Sequence, residues 1–232
     1  MTAQRLRLSY ARGPEARHLS QSEVLRHWEA ALRLAGLPVG GETGSRRRPR
    51  LGAAPPLPRG ATSDEELLDV YLDEPWPPSR VKEALQCRVG PGFRLIDVQE
   101  VGQHQPSLQA AVRWSEYLVV LPPDHGAAEV AAAVARFLSR ETLPWEHVRE
   151  AKTRRYDIRA LVGDLQAEPA KAAGPQALRM RLRADGQGMG RPDQVVAALG
   201  LGEPTAVHRL RLILALDSPV RLAWRRTGRF RD

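Results

Sequence analysis

Residues 5–38 read RLRLSYARGPEARHLSQSEVLRHWEAALRLAGLP, a strand followed by a helix. Leu6, Leu8 and Tyr10 alternate with Arg5, Arg7 and Ser9, the two-residue period of a half-buried strand. Ser20-Gln21-Ser22-Glu23 is a capping box: Ser20 accepts from the first helical turn and Glu23 reaches back. Val24, Trp28, Ala31, Leu32 and Ala35 then recur at helical spacing. Gly36 ends the helix, and Pro38 forbids its return.

Working outward, residues 40–62 are rich in glycine, proline and arginine, with a short strand near Arg50–Ala54. Leu68, Val70 and Leu72 mark the next strand. Ser79 is placed to cap a short helix carrying Val81, Ala84 and Leu85. Gly90-Pro91-Gly92 turns the chain into a strand over Phe93–Val101. The order is βαββαβ, a ferredoxin-like unit over residues 1–105. After a polar junction, Val112–Leu121 predicts a strand and Asp124 caps a helix bearing Val130, Val134, Phe137 and Leu138. Strands are predicted at Trp145–Arg149, Tyr156–Val162, Leu178–Ala184 and Val207–Leu216, with a helix over Pro192–Leu199 stopped by Gly200. The predicted fold is therefore α+β: two ferredoxin-like units in tandem, 1–105 and 110–216, with a basic tail over 217–232.

The chain has 232 residues, 42% of them hydrophobic, enough for a core. No apolar run approaches the ~20 residues of a membrane span, and the N-terminus has no signal-peptide stretch, so a cytoplasmic protein without a membrane partner is expected. Cys87 is the only cysteine, which excludes an intramolecular disulfide, a multi-cysteine zinc site and a multi-thiolate iron–sulfur cluster. His18, His27, His104, His125, His147 and His208 are scattered. No metal and no cofactor is predicted.

The net charge is +8, and only three of 35 basic residues are lysines. The planar guanidinium suits phosphate, so an anionic partner is expected, RNA first. Arg179, Arg181 and Arg183 alternate with Leu178, Met180 and Leu182; Arg209 and Arg211 alternate with Leu210, Leu212 and Leu214; Arg155 and Arg159 alternate with Tyr156 and Ile158. Arg5 and Arg7 repeat the theme. On a sheet covered by helices on one face, these arginines would line the open face as a phosphate-binding surface. Arg46, Arg47, Arg48 and Arg50 form a second basic cluster, and the tail from Arg221 to Arg231 a third. Aromatics are only 5%, which argues against base-specific readout. Gly186–Gly190 is a glycine-rich turn before a helix, without the lysine of a P-loop. His18 stands before the first helix as a possible general base without a visible partner.

The stretch from His18 to Asp69 resembles a bacterial domain-of-unknown-function family associated with cobalamin-type radical SAM proteins. The residues that carry the resemblance are His18-Leu19-Ser20, Ala35-Gly36-Leu37-Pro38, Gly44 with Pro49-Arg50-Leu51, Pro55-Pro56-Leu57-Pro58-Arg59-Gly60, Glu66 and Asp69. Tyr156-Asp157-Ile158-Arg159 and Arg191-Pro192-Asp193 extend it into the second half. The family usually has Leu-Ser-His-x-Asp where this chain has Leu19-Ser20-Gln21-Ser22-Glu23. It usually has Gly-Phe-Asn-Pro-His-Pro where this chain has Gly44-Ser45-Arg46-Arg47-Arg48-Pro49. The resemblance implies a separate radical SAM protein as partner. Taken together, the expected function is a non-catalytic, RNA-binding accessory protein of a radical SAM enzyme. The alternatives are a metal-independent endoribonuclease of the repeat-processing type, with His18 near the glycine-rich loop, and a protein–protein adaptor.

Overall fold

The computed structural model describes residues 3–39, 49–149, 152–168 and 174–215. The first half runs β1 (Gln4–Arg12), α1 (Gln21–Leu34), β2 (Leu51–Ala53), β3 (Thr62–Leu72), α2 (Pro78–Gln86) and β4 (Phe93–Glu100). A one-turn helix α3 (Leu108–Ala111) leads into β5 (Val112–Val120) and α4 (Ala127–Leu138). Then come β6 (Pro144–Arg149), β7 (Lys152–Asp157), β8 (Val162–Glu168), β9 (Ala177–Asp185), β10 (Gly188–Met189), α5 (Pro192–Leu199) and β11 (Ala206–Leu214).

The fold is α+β, with a nine-stranded mixed sheet. Its order is β10-β9-β5-β11-β3-β1-β4, with β2 added to β3 and β8 added to β9. β6 and β7 form a separate ribbon. The two predicted halves thus share one sheet. They meet where β11 runs parallel to β3, with His208 opposite Thr62 and Arg209 opposite Ser63. Beyond that short seam β2 takes the same edge of β3, with Leu51, Gly52 and Ala53 opposite Val70, Asp69 and Leu68. Ala54, Leu67, Leu108, Val112, Ala184 and Leu212 cluster where the strands part, α3 supplying Leu108.

Local chemistry explains the elements. The capping box at Ser20 forms in both directions: its hydroxyl accepts from Glu23 N–H, and its N–H donates to Glu23 Oε2 at 2.7 Å. α1 buries Val24, Trp28, Ala31 and Leu32 against Leu6, Leu8, Leu68 and Val70. In the second half Val130 and Phe137 of α4 and Val195, Val196 and Leu199 of α5 cover Val119, Leu178, Met180 and Leu182. Fully burying each such side chain contributes about 1.5–3 kcal/mol.

Several expectations are corrected. Helix α2 begins at Pro78 after Pro77, not at a Ser79 cap, because proline at the first position needs no partner for an N–H. Gly126, not Asp124, caps α4. The strand predicted over Tyr156–Val162 is interrupted: Asp157 Oδ1 accepts from Arg159 N–H at 2.9 Å and Leu143 N–H at 2.8 Å. A single 3-10 turn over Arg159–Leu161 follows. Arg5 and Arg7 do not face solvent. Both are buried against Asp69, itself fully buried, with Arg5 Nε–Oδ2 at 3.1 Å and Arg7 Nε–Oδ1 at 2.7 Å. Arg5 also donates to the carbonyls of Gln105 and Pro106.

Candidate nucleic-acid interface

Four strands, β8, β9, β5 and β11, carry the candidate surface. Their register places Ser115, Tyr117 and Val119 beside Leu182, Met180 and Leu178 on the helix-covered face. On the opposite face Trp114 pairs with Arg183, Glu116 with Arg181 and Leu118 with Arg179. The row continues outward to Asp164 opposite Arg181 and Gln166 opposite Arg179. It continues inward to Arg211 opposite Glu116 and His208 opposite Leu118. Residues on this second face are exposed or half-exposed, whereas those on the first are buried. Among the described residues this second face of the half-sheet is therefore left uncovered.

The open face is not a plain basic patch. Arg211 is held by Glu116, with Nε–Oε2 at 2.7 Å and Nη2–Oε1 at 3.1 Å. Arg179 is paired with Glu168, and Arg183 lies beside Gln187 and 3.9 Å from Asp185. Arg181 has no hydrogen-bond or ion-pair partner among the described residues, and its Nε is buried without an acceptor. Trp114 lies between these arginines, the Arg183 Cζ 5.3 Å and the Arg181 Cζ 5.9 Å from its ring centroid. The indole rests over Gly163 of β8, where a Cβ would meet Trp114 Cζ3 at 2.7 Å. Trp114 was not among the sequence candidates. Its position opposite Arg183 in the β5–β9 register is the signal that would have found it.

The remaining candidates scatter. Arg209 leaves the open face altogether. A bulge between Arg209 and Arg211 turns the guanidinium into the core. There it meets Glu66, the carbonyls of Pro55 and Pro56, and the Tyr117 hydroxyl. Burial pulls its pKa down, but the Glu66 carboxylate and Tyr117 outweigh that and raise it. Burial, reinforced by Glu66, pushes the Tyr10 phenol well above its ordinary value. Arg209 is thus a structural cation rather than a phosphate contact. Arg155 is on the β6–β7 ribbon, paired with Glu146 at 2.9 Å. Arg159 donates to the Val162 carbonyl at 3.0 Å. Arg50 is exposed and stacks on Tyr71, 4.3 Å from the ring centroid. Arg46, Arg47 and Arg48, like the tail from 217 onward, lie outside the described residues.

The residues carrying the sequence resemblance divide by role. Ser20 caps α1, Asp69 pairs with both Arg5 and Arg7, and Asp157 shapes the turn after β7. Pro49 adjoins Leu25 and Leu51 beside α1, while Gly44 lies outside the described residues. Pro58 and Gly60 from the first half meet Arg191 and Pro192 from the second in one cleft, with Trp145 and Gln194 also lining it. Arg191 is paired there with Asp193 at 3.0 Å, and Gln194 accepts from the Tyr156 hydroxyl. Arg59, on the same cleft, donates to the His18 carbonyl at 3.3 Å. Among the described residues the His18 ring meets no carboxylate; its Nε2 accepts from Arg17 at 3.0 Å. The glycine-rich turn is a hairpin tip between β9 and β10, and its Gly190 N–H is used by the Arg183 carbonyl.

Residues 5–192 match the model of a family described as an uncharacterized protein conserved in bacteria, DUF2344. The chain belongs to this family. The DUF2344 match covers most of both halves, including Pro58, Gly60, Trp145, Arg191 and Pro192 of the cleft. No curated protein matches the chain. Among solved structures it is similar to a chain of a Cbf5-Nop10-Gar1 complex, with a TM-score of 0.48 and 12% identity over 88% of this chain and 48% of that one. An archaeal box H/ACA sRNP Nop10-Cbf5 complex gives a TM-score of 0.42 and 13% identity over 88% and 47%. The chain spans about half the length of the chains it resembles. No helix among the described residues is long and apolar enough to cross a membrane, and no group of three or more metal-ligating side chains occurs among them.

Proposed function

We propose that this DUF2344 chain binds single-stranded RNA on the open face of its sheet and acts as an accessory to a separate radical SAM protein. The observation that carries the RNA reading is Trp114, laid over Gly163 between Arg181 and Arg183. An aromatic ring flanked by guanidinium groups offers a stacking surface to a base and cations to the adjoining phosphates. Arg181, without an anionic partner among the described residues, is the cation most available to a phosphate. The partner reading rests on the resemblance over His18–Asp69 and on the single cysteine, which leaves cluster chemistry to another protein. The strand orders β4-β1-β3-β2 and β11-β5-β9-β8 support reading each half as a ferredoxin-like unit, fused through β3 and β11.

The test is a salt titration of binding to a short unstructured RNA. Replacing Arg181 and Arg183 by glutamine removes two phosphate contacts, so the slope of log affinity against log salt should flatten by ~1.4. Trp114→Ala should weaken binding at every salt concentration without changing the slope. An unchanged affinity in Trp114→Ala, or no wild-type binding at low salt, overturns the proposal.

A further inference from the structure

At the seam between the halves, Thr62 of β3 stands opposite His208 of β11. The Thr62 hydroxyl lies 2.7 Å from His208 Nδ1. On the other side of the ring, His208 Nε2 lies 3.2 Å from Asp64 Oδ2. An ionised carboxylate only accepts, so Asp64 holds the proton on Nε2 and leaves Nδ1 of the neutral ring as an acceptor. Thr62 Oγ1–H then donates to Nδ1. Hydroxyl, imidazole and carboxylate are in the order required to activate an oxygen nucleophile. His208 and Asp64 are partly exposed, so the hydroxyl–imidazole pair is open to a small molecule.

The three groups line one groove, which also contains Arg94, Phe93 and Pro14. Arg94 is exposed and has no hydrogen-bond or ion-pair partner among the described residues. Arg12, by contrast, is committed to the carbonyls of Ala16 and Leu19. The groove therefore combines a nucleophile, a base with its orienting acid, an uncommitted cation and an apolar wall.

We propose that this groove is an acyl-transfer site acting on small carboxylic esters, with Thr62 as nucleophile and His208 as base. Thr62 Oγ1 attacks the ester carbonyl carbon while its proton passes to His208 Nδ1. The carbonyl electron pair moves to oxygen, where the Arg94 guanidinium can meet the developing charge. Collapse of the adduct breaks the bond to the leaving alcohol, which takes the proton from Nδ1. Water then attacks the acyl-threonine and gives its proton to Nδ1; collapse of this second adduct breaks the bond between the acyl carbon and Thr62 Oγ1, releases the acid, and returns the proton from Nδ1 to Oγ1. Asp64 is a positioning residue acting through the ring. The site does not depend on RNA binding.

The probe is p-nitrophenyl acetate with the full chain. A burst of p-nitrophenol near one per protein, and an acetyl group mapped by mass spectrometry to Thr62, are expected. Thr62→Ser should keep the burst and Thr62→Val should abolish it. His208→Gln should slow acylation by ~10²–10⁴-fold, and Arg94→Gln should lower the rate while sparing the hydrogen-bonded relay. Asp64→Asn should lower kcat for acylation and leave KM unchanged, since Asp64 orients the ring through Nε2 and touches no atom of the ester. Absence of a burst, or acetylation that maps elsewhere and survives Thr62→Val, overturns the proposal. Should Thr62→Val fail to fold, the position of the acetyl group in wild type decides alone.

Discussion

Arg209 and Glu66, 143 residues apart, form a buried ion pair across the parallel seam between the halves, with Nε–Oε1 at 2.8 Å. Both side chains are nearly inaccessible, and the guanidinium also donates to the Pro55 carbonyl at 3.2 Å. Removing one member leaves the other charge buried and alone. Glu66→Gln or Arg209→Met should each cost ~3–5 kcal/mol in urea unfolding. The double variant Glu66→Gln/Arg209→Met should be less destabilised than the sum of the two. Full additivity in that cycle would show that the pair does not couple the halves.

Gly163 leaves the space that the Trp114 ring occupies. A Cβ there would meet the six-membered ring itself, so Gly163→Ala must lift the indole from β8. If Trp114 is an RNA platform, this variant should lose about 1–3 kcal/mol of RNA affinity, comparable to Trp114→Ala. Circular dichroism should remain that of the wild type. Wild-type affinity in Gly163→Ala would remove Trp114 from the interface.

His27 stacks on Phe93, with ring centroids 4.3 Å apart, and its Nε2 is buried with no hydrogen-bond partner among the described residues. Burial lowers its pKa below the ordinary value of 6.5. The unfolded chain therefore takes up the proton first as pH falls. The stability that depends on a neutral His27 is complete above about 6.5 and is lost as pH falls from there through the folded pKa. His27→Phe should reduce the slope of stability against pH below neutrality. An identical slope in the variant would assign it to other groups.

Ser20 holds the start of α1 through its capping box with Glu23. Ser20→Ala should destabilise the protein by ~1 kcal/mol, and Ser20→Gly by only a few tenths. Urea midpoints with an unchanged slope provide the check.

Several local elements were legible in the sequence alone. The capping box at Ser20, the apolar face ending at Gly36 and the alternation at Leu178–Ala184 involve groups a few residues apart, so their period is visible without the rest of the chain. It also determined that Arg179, Arg181 and Arg183 share one face, because alternate residues on an unbroken strand must. Tertiary structure decided which arginines meet solvent. Arg5 and Arg7 have the same alternation as Arg181 and Arg183, but Asp69, more than sixty residues away, draws them inward. Arg209 and Arg211 are separated onto opposite faces by a bulge that appears only when β11 is set against β5. Thr62, Asp64 and His208 come together, and Pro58 meets Arg191, through the pairing of β3 with β11 and the packing of the halves around it. Burying a charge is costly unless a partner is supplied, and the partner's position depends on strand pairing between distant segments.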